Sequence, residues 1–492
     1  MNFKLVALVA TCVVQVLASK RHEASKWYPC PHFSNTVGLD PELATLEVEC
    51  GKFSAPLCYS DVCTAPESVN QSIEVFVKRF PAFHPETAIN IWVVEYSALL
   101  LFSKRNGSAN IYMMHARGSG KSTTLICGVT TTNSYSDLSM DPAQAESCAI
   151  NLESKYGDLV AFSPTSAAHD LFYLISKLSN GAHTFVYGTN YEALIVERLM
   201  HLAPPEVIGY VLDSSMSTTG IYNYYTEFDL NNDEVATTFM ERCDHDRVCS
   251  SHFKKPDTLT DALQDIMSGL DNQVDSACFE IMNTMNVTNE KWPASHRLRK
   301  LLSALLVIPT SYTTIPQFVY RLKRCQSHDA DVLKTFINNI INSRIDTSIS
   351  SENSDMLQPH PVLGIVGETN TFASGIEKAL YGLCRGLGHT HQRSFVLCYV
   401  KRTIEGVRQV RFWQASVLVL SSKMDIFTPY KYTKRIFESL TGKRKELITF
   451  EIGSGATLHS TPYQLRVPSM ETCGLSIIDS YLQSDGDLAG LG

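Results

Sequence analysis

Five short apolar runs, rich in β-branched and aromatic residues, predict strands in the first half of the chain: SIEVFVKRF, INIWVVEYS, NIYMMHAR, HTFVYG and VIGYVLD. Several are apolar throughout, which is typical of strands that are buried on both faces of a parallel sheet. The stretches SAAHDLFYLISKLS and NYEALIVERLMHLAP lie between the later runs, and their amphipathic pattern predicts helices. Strands that alternate with helices predict a mostly parallel α/β sheet covered on both faces.

The pattern changes to helix after about residue 228 and keeps that character to about residue 345. Four amphipathic stretches lie there with little strand signal: DEVATTFMERC, TLTDALQDIMSGL, SHRLRKLLSALL and DADVLKTFINNIINS. Residues 346–358 are polar and serine-rich, which predicts an exposed loop. Sheet character returns with ASVLVLSSKMD and KELITFEIGS, which the predicted helices YKYTKRIFESLTG and CGLSIIDSYL follow. We therefore expect a core of residues 19–227 and 401–492, interrupted by a mainly helical cap over 228–400.

Composition fits a globular, exported protein. The 492 residues are 44% hydrophobic and 19% charged, enough to bury a sizeable core. A net charge of -8 predicts no binding to nucleic acid or to an anionic membrane. The start MNFKLVALVATCVVQVLASK reads as a signal peptide over residues 1–18, too short to span a membrane, so we expect a secreted, extracellular protein without a membrane span. Sequons at Asn70, Asn106 and Asn286 predict glycosylation.

Cysteine usage supports the same compartment. Of the 14 cysteines, Cys12 lies in the predicted leader, which leaves an odd number in the mature chain. Most should pair in an oxidising environment, and one leftover thiol is a better interpretation than a cysteine nucleophile. Close pairs are Cys58 with Cys63, Cys127 with Cys148, and Cys243 with Cys249, although spacing alone does not determine connectivity.

The segment ARGSGKST is close to a phosphate-binding loop without matching it. That motif requires a glycine at the position that His115 occupies. No acidic strand end downstream offers an evident magnesium ligand. We therefore favour a structural turn around Gly118, Gly120, Lys121 and Ser122 over a nucleotide site.

Seven blocks together resemble the secreted tripeptidyl and prolyl aminopeptidase-like family of α/β-hydrolases: ARGSGKSTTLIC, CAINLESKYG, VYGTNYEALIVERLM, GYVLDSS, IPQFVYRLKRC, MDIFTP and CGLSIIDSYL. The resemblance runs with gaps over residues 46–482, and the third and sixth blocks are its more specific parts. It implies a doubly wound, mostly parallel sheet of eight strands, an inserted helical cap over the strand ends, and a Ser-Asp-His triad in that chain order. No cofactor and no metal are expected.

The resemblance implies a damaged triad. Asn190 occupies the nucleophile position, and Asp425 occupies the acid position in the turn after a strand. The family's histidine lies five residues beyond a phenylalanine in the last strand, and counting from Phe450 gives Gly455. His459 comes four residues later, and we favour a structural or exposed histidine there over a base that a shifted loop restores.

The expected oxyanion region is altered as well. The family's glycine-rich segment should follow residues 92–94, where this chain has Tyr96 and its neighbours. Glu192 replaces a small glycine in the first helical turn, where its carboxylate would oppose an anion held by the backbone N–H of Tyr191. Asparagine at position 190 tolerates the positive φ of such a turn, so the backbone is expected to keep its shape.

The prediction from these substitutions is a catalytically inactive hydrolase fold that acts by binding a peptide or a partner protein in the cleft between core and cap. We expect Asn190, Asp425 and Gly455 to converge at the carboxyl ends of the strands. Without its histidine, Asp425 is favoured as a hydrogen-bonded turn residue. The alternative is an active serine-type peptidase that releases N-terminal peptides through a rearranged site, with His459 and another hydroxyl. No intact G-x-S-x-G motif occurs in the sequence.

Overall fold

The computed structural model describes residues 27–31, 48–93, 95–125, 145–215, 228–253, 258–272, 275–284, 293–339, 415–462 and 471–491. Three predicted features lie outside the described residues: the signal peptide over 1–18, the loop over 346–358, and the remainder of the cap beyond 339. Cys127 and Asn286 also lie outside them.

Nine strands within the described residues form one sheet, in the order β1-β2-β3-β5-β4-β6-β7-β8-β9. The first three pair antiparallel, as does β3 with β5, whereas β5, β4, β6, β7, β8 and β9 run parallel. This topology confirms the predicted mostly parallel sheet. The strands are β1 (Tyr28–Pro29), β2 (Glu49–Pro56), β3 (Ser72–Phe80), β4 (Ile89–Val93), β5 (Ala109–Met114), β6 (Thr184–Thr189), β7 (Val207–Ser215), β8 (Ser416–Ser422) and β9 (Lys445–Phe450).

The helices with defined ends among the described residues are α1 (Glu95–Lys104), α2 (Ala145–Tyr156), α3 (Pro164–Leu178), α4 (Asn190–Leu202), α5 (Phe228–His245), α6 (Arg247–Ser250), α7 (Leu259–Asp271), α8 (Ala277–Thr284), α9 (Ala294–Leu306), α10 (Thr314–Arg324), α11 (Tyr430–Ser439), α12 (Thr457–Ser460) and α13 (Cys473–Gln483). Local signals place several starts. The Ser163 side chain accepts the Ser166 N–H ahead of Pro164 in α3, and Thr258 and Asp261 form a reciprocal capping box at α7.

Helices cover both faces of the sheet. Alternating side chains of β6 show the division, because Val186 packs towards α2, α3 and α4 whereas Phe185 and Tyr187 pack towards α1 and α13. Burial on both faces explains why the strand sequences are apolar throughout rather than alternating. The predicted doubly wound arrangement is therefore present.

The stretch INIWVVEYS is not one strand. β4 ends at Val93, and α1 begins at Glu95. Ala98, Leu101 and Phe102 of α1 are buried, which is the i, i+3, i+4 spacing of a helix face. Contact of that face with the sheet favours a helix, so the predicted strand was wrong for the residues after Val93. Helix α2 was not predicted either.

The described part of the predicted cap is helical. Helices α5 to α10, with a further helical segment over 329–339, enclose one apolar cluster that includes Ile266, Leu298 and Val319. Met424 and Ile426, from the turn after β8, belong to the same cluster, so the cap packs directly on that turn. The boundaries at 228 and 400 stay predictions.

Within the described residues, no single helix is both long and apolar enough to cross a membrane. Ala294–Leu306 together with Pro309–Arg324 meets the length and composition test as a pair, with a bend of 118° between them.

Disulfides join four pairs of cysteines among the described residues: Cys30–Cys50, Cys58–Cys63, Cys243–Cys249 and Cys278–Cys325. Two of these are pairs expected from spacing. Cys148 is also disulfide-bonded, and Cys473 is a free thiol within the described part of the chain. Such a density of disulfides is typical of an oxidising compartment.

A buried ion pair ties the antiparallel edge to α3. Arg117 donates from Nε and Nη2 to the two carboxylate oxygens of Asp170, at 2.7 and 2.6 Å, and neither side chain is exposed. Its remaining N–H groups donate to main-chain carbonyls of Leu57, Ala161 and Pro56. Tyr59 Oη also donates to Asp170, at 2.7 Å.

Candidate functional site

The turn between β6 and α4 has the geometry of a nucleophile elbow. Asn190 stands at the strand-to-helix junction with φ of +48°. A Cβ on Gly188 would lie 2.6 Å from the carbonyl oxygen of Glu192 and 2.6 Å from Val196 Cγ2, so only glycine permits this close approach of strand and helix. The strand, turn and helix are retained, and an amide stands where a hydroxyl would attack.

The structure places Asn190 and Gly455 at the same edge of the sheet. Asn190 forms a backbone bridge with Ser215 at the end of β7. The preceding residue, Ser214, donates its hydroxyl to the carbonyl oxygen of Gly455 at 2.5 Å. Gly455 has φ of +69°, and the nearest atom to a Cβ built there is Phe427 Cδ2 at 3.7 Å. There is space for a side chain, but at a backbone angle that few residues adopt.

Both carboxylate oxygens of Asp425 accept hydrogen bonds from within its own turn. Its Oδ1 accepts the backbone N–H groups of Phe427 and Thr428, at 2.9 and 3.0 Å, and its Oδ2 accepts the Thr428 hydroxyl at 2.6 Å. The side chain is fully buried. This is the geometry of a hydrogen-bonded turn residue, and the turn supports the cap through its two apolar neighbours.

Asp213, a carboxylate that sequence reasoning missed, holds the loop that carries Gly455. It lies near the end of β7, fully buried, and accepts the N–H groups of Thr457 and Leu458 at 2.9 and 3.1 Å. Tyr187 Oη donates to it at 2.8 Å. Burial raises the pKa of Asp213 to about 6, although these hydrogen bonds oppose the rise. An acid at the carboxyl end of a buried strand was the available signal, in the block GYVLDSS.

His459 has a serine partner that no sequence motif announced. Its Nε2 lies 3.1 Å from Ser97 Oγ, across 362 residues of sequence. Ser97 belongs to the first turn of α1 and is 1% exposed. Burial lowers the pKa of His459 to about 4, so its imidazole is neutral at physiological pH.

The other predicted site residues are Glu192 and Tyr191 in the elbow and Tyr96 in α1, and their environments differ. Glu192 is half-buried as a residue, but its carboxyl is enclosed, and burial raises the pKa of that carboxyl to about 7. The carboxyl is therefore partly neutral near pH 7, which weakens the expected repulsion of an anion. Tyr191 packs against the apolar cluster beneath α4. Tyr96 lies in the first turn of α1, and its side chain is outside the described part of the structure.

The segment ARGSGKST forms a closed turn after β5. Gly118 pairs with Thr124, and the Lys121 N–H donates to His115 Nδ1 at 3.0 Å. Ser122 donates its hydroxyl to the carbonyl oxygen of His115 and accepts the Phe76 N–H. The Ser122 hydroxyl and the Lys121 backbone N–H of this segment thus bond to other protein atoms, as in a structural turn. No group of three or more His, Cys, Asp or Glu side chains that would hold a metal occurs in the described ranges.

Comparison with known proteins identifies no family and finds only distant structural similarity. No family model and no curated protein matches this chain. Similar solved structures include a carboxyl esterase from Bacillus coagulans, with 10% identity and a TM-score of 0.34, covering 80% of this chain and 91% of that chain. Another is MGS-M2, an α/β-hydrolase enzyme from a Medee basin deep-sea metagenome library, with 12% identity and a TM-score of 0.30, covering 79% and 88%. A thermophilic esterase from Thermogutta terrifontis has 8% identity and a TM-score of 0.29, covering 80% and 91%.

These similarities are too low to carry an argument about activity. The α/β-hydrolase fold rests on this chain's own strand order, elbow and flanking helices. The finer resemblance to aminopeptidases bears only on the proposal that follows.

Proposed function

We propose that this chain is a secreted, aminopeptidase-like α/β-hydrolase without catalysis, which binds a peptide or a partner protein where the sheet edge meets the cap. The carrying observation is the elbow: its backbone is intact, with φ of +48°, but its residue is Asn190. An asparagine amide is neutral and its nitrogen lone pair is delocalised, so it does not attack a carbonyl. Gly455, at the histidine position, offers no base.

Two nearby carboxylates support the same proposal, because both accept hydrogen bonds that serve the fold. Asp425 is saturated in its own turn, and Asp213 holds the N-terminus of α12. Loss of a serine triad lowers the catalytic rate by about six orders of magnitude. The rate enhancement that remains comes from the oxyanion hole and from substrate binding alone. The cap packs on the turn after β8, and the junction of a sheet edge with a cap is a common place for ligands.

Activity measurements test the proposal. Purified mature protein, Asn190→Ser, and Asn190→Ser with Gly455→His would be incubated with peptidyl anilides and nitrophenyl esters, beside a relative with an intact triad. We expect no turnover from the wild type or from Asn190→Ser, since a triad acts as a unit and one restored member recovers little. Robust turnover by either protein would contradict the proposal.

A second candidate function rests on the Ser97–His459 pair. A hydroxyl 3.1 Å from a neutral imidazole is the arrangement of a nucleophile and its base, so this site supports a rearranged serine hydrolase. Burial of Ser97 argues against it, because a substrate carbonyl has no evident approach. A serine-directed phosphonate with peptide mapping decides: we expect no label at Ser97. Labelling that Ser97→Ala abolishes and Ser214→Ala leaves intact would favour this second function.

A further inference from the structure

Phe83 is the most exposed large apolar side chain among the described residues, with 76% of its surface open to solvent. Single exposed apolar residues are common on protein surfaces, so exposure alone needs no explanation. The neighbour of Phe83 is the specific feature. Its backbone N–H donates to the carbonyl oxygen of Gly107 at 2.9 Å, and a Cβ built on Gly107 would stand 2.6 Å from Phe83 Cε2. The exposed ring therefore lies directly against the middle residue of the sequon Asn106-Gly107-Ser108.

The sequon occupies a fixed turn between α1 and β5. The backbone N–H groups of its three residues donate to carbonyl oxygens within residues 102–105, at 3.0 to 3.2 Å. Asn106 and Gly107 have φ of +48° and +66°. Glycine in the middle position permits that angle and leaves room for the Phe83 ring. Asn106 and Ser108 are both exposed, as a bulky surface modification requires.

An aromatic ring beside a sequon offers a surface on which a sugar packs. The π face of the ring is negative, whereas the C–H groups on one face of a pyranose are weakly positive and apolar. Stacking of the two removes apolar surface from water. Because the backbone hydrogen bond between Phe83 and Gly107 fixes the ring beside the sequon, little conformational entropy is lost when they stack.

We propose that Asn106 carries an N-linked glycan whose first sugar stacks on the ring of Phe83. In the transfer step, the Asn106 amide nitrogen forms a bond to C1 of an oligosaccharide carried on a lipid diphosphate. The bond between C1 and the diphosphate oxygen breaks, the diphosphate leaves with that electron pair, and one amide proton is released. This inference goes beyond the proposed binding function and shares with it only the secretion of the chain.

The sequon at Asn70 provides a reference within the same chain. Asn70 is exposed in the turn before β3, and its Oδ1 accepts the backbone N–H and the hydroxyl of Ser72, at 3.1 and 3.3 Å. A glycan there reports that the chain has met the glycosylation machinery. Its rate of removal should not respond to changes at Phe83.

Occupancy is tested first. The full chain, with its own N-terminal segment, would be produced in eukaryotic cells, and intact glycopeptides would be identified by mass spectrometry. We expect a glycan on Asn106. Ser108→Ala destroys this sequon and leaves Asn106 in place, so it should remove that glycan and leave the occupancy of Asn70 unchanged.

Stacking is tested by the rate at which an amidase cleaves the bond between Asn106 and its first sugar in the folded glycoprotein. The enzyme reaches this bond when the sugar leaves the ring, so Phe83→Ser should accelerate release about twofold to tenfold, the range that contacts of aromatic rings correspond to. Phe83→Tyr keeps the ring and should release as the wild type does. Val248→Ser removes another exposed apolar side chain, 72% exposed in the cap, and should have no effect. All four proteins should release equally after denaturation.

The outcomes separate this inference from the proposed function. Secreted protein with a glycan on Asn70 and none on Asn106 overturns the inference and leaves secretion standing. Absence of glycan from both sites overturns it too, and a chain that stays in the cytosol refutes secretion as well. Equal release from wild type and Phe83→Ser overturns the stacking contact. Faster release in Phe83→Ser alone, with unchanged unfolding temperatures and unchanged release from Asn70, supports it.

Discussion

Two buried polar clusters of this protein differ in how completely they are paired. Around Arg117, each N–H of the guanidinium has an acceptor, and Asp170 receives Arg117 and Tyr59 together. Around Asn190, enclosed oxygens of neighbouring side chains have no partner in the described structure. The first cluster is complete without any other molecule, so it serves the fold. The second is incomplete in the described residues, so its polar groups contribute less to the stability of the fold.

Charge follows the same division. The complete cluster holds a buried ion pair, whose desolvation is offset only when each partner is fully bonded. The incomplete cluster uses neutral hydroxyls and an amide, which tolerate an empty site at a smaller cost.

The largest expected effect is the loss of stability on breaking the complete cluster. Asp170→Ala leaves Arg117 buried without its counter-ion and should lower the free energy of unfolding by about 3–5 kcal/mol. Urea denaturation measures this. The control is Glu74→Ala, which removes the exposed ion pair with Lys52 and should cost at most about 1 kcal/mol. Equal losses in the two variants would contradict the comparison.

The second largest expected effect is a pH dependence of the free energy of unfolding, caused by Asp213 near the elbow. Burial gives Asp213 a pKa of about 6 in the folded protein against 3.8 unfolded, so the folded state binds this proton more tightly. Protonated Asp213 therefore contributes fully to the free energy of unfolding below about pH 4. That contribution, about 3 kcal/mol, is lost as pH rises through about 6. Urea denaturation at pH 4 and pH 7 should show a larger fall in the wild type than in Asp213→Asn.

Glu192, whose pKa burial also raises, is present in both of these proteins, so the difference between them isolates Asp213. Parallel pH profiles would show that Asp213 does not titrate as its burial implies.

The smallest expected effect is on stability at the elbow. Ser215→Ala removes an enclosed hydroxyl that has no partner in the described residues, so the free energy of unfolding should not fall, and relief of the unpaired hydroxyl should raise it by about 1 kcal/mol. Thermal or urea unfolding measures this. A loss of more than about 2 kcal/mol would mean that the hydroxyl is bonded in the free protein, and the contrast between the clusters would disappear.

The sequence by itself determined most of the elements and the residue types at the expected catalytic positions. Strands buried on both faces are recognisable as unbroken apolar runs. The stretch from position 95 onwards was wrongly assigned, because contact with the sheet favours helix there, and α2, β1 and β2 were not predicted. The identities of residues 190 and 455 are themselves informative, because neither an asparagine amide nor a glycine, which has no side chain, has the reactivity of serine and histidine in any fold. The disulfides Cys58–Cys63 and Cys243–Cys249 were predictable from sequence because the two cysteines of each pair are only five or six positions apart.

Tertiary structure alone decided which distant side chains meet. Ser97 reaches His459 across 362 residues, and Arg117 reaches Asp170 across 53, through a strand order that does not follow the chain. Asp213 became the residue that holds α12 because β7 ends beneath that loop, whereas Asp425 bonds only within its own turn in the contacts described. A hydrogen bond acts over about 3 Å, so its existence depends on that spatial order, which local patterns of apolar and polar residues do not contain.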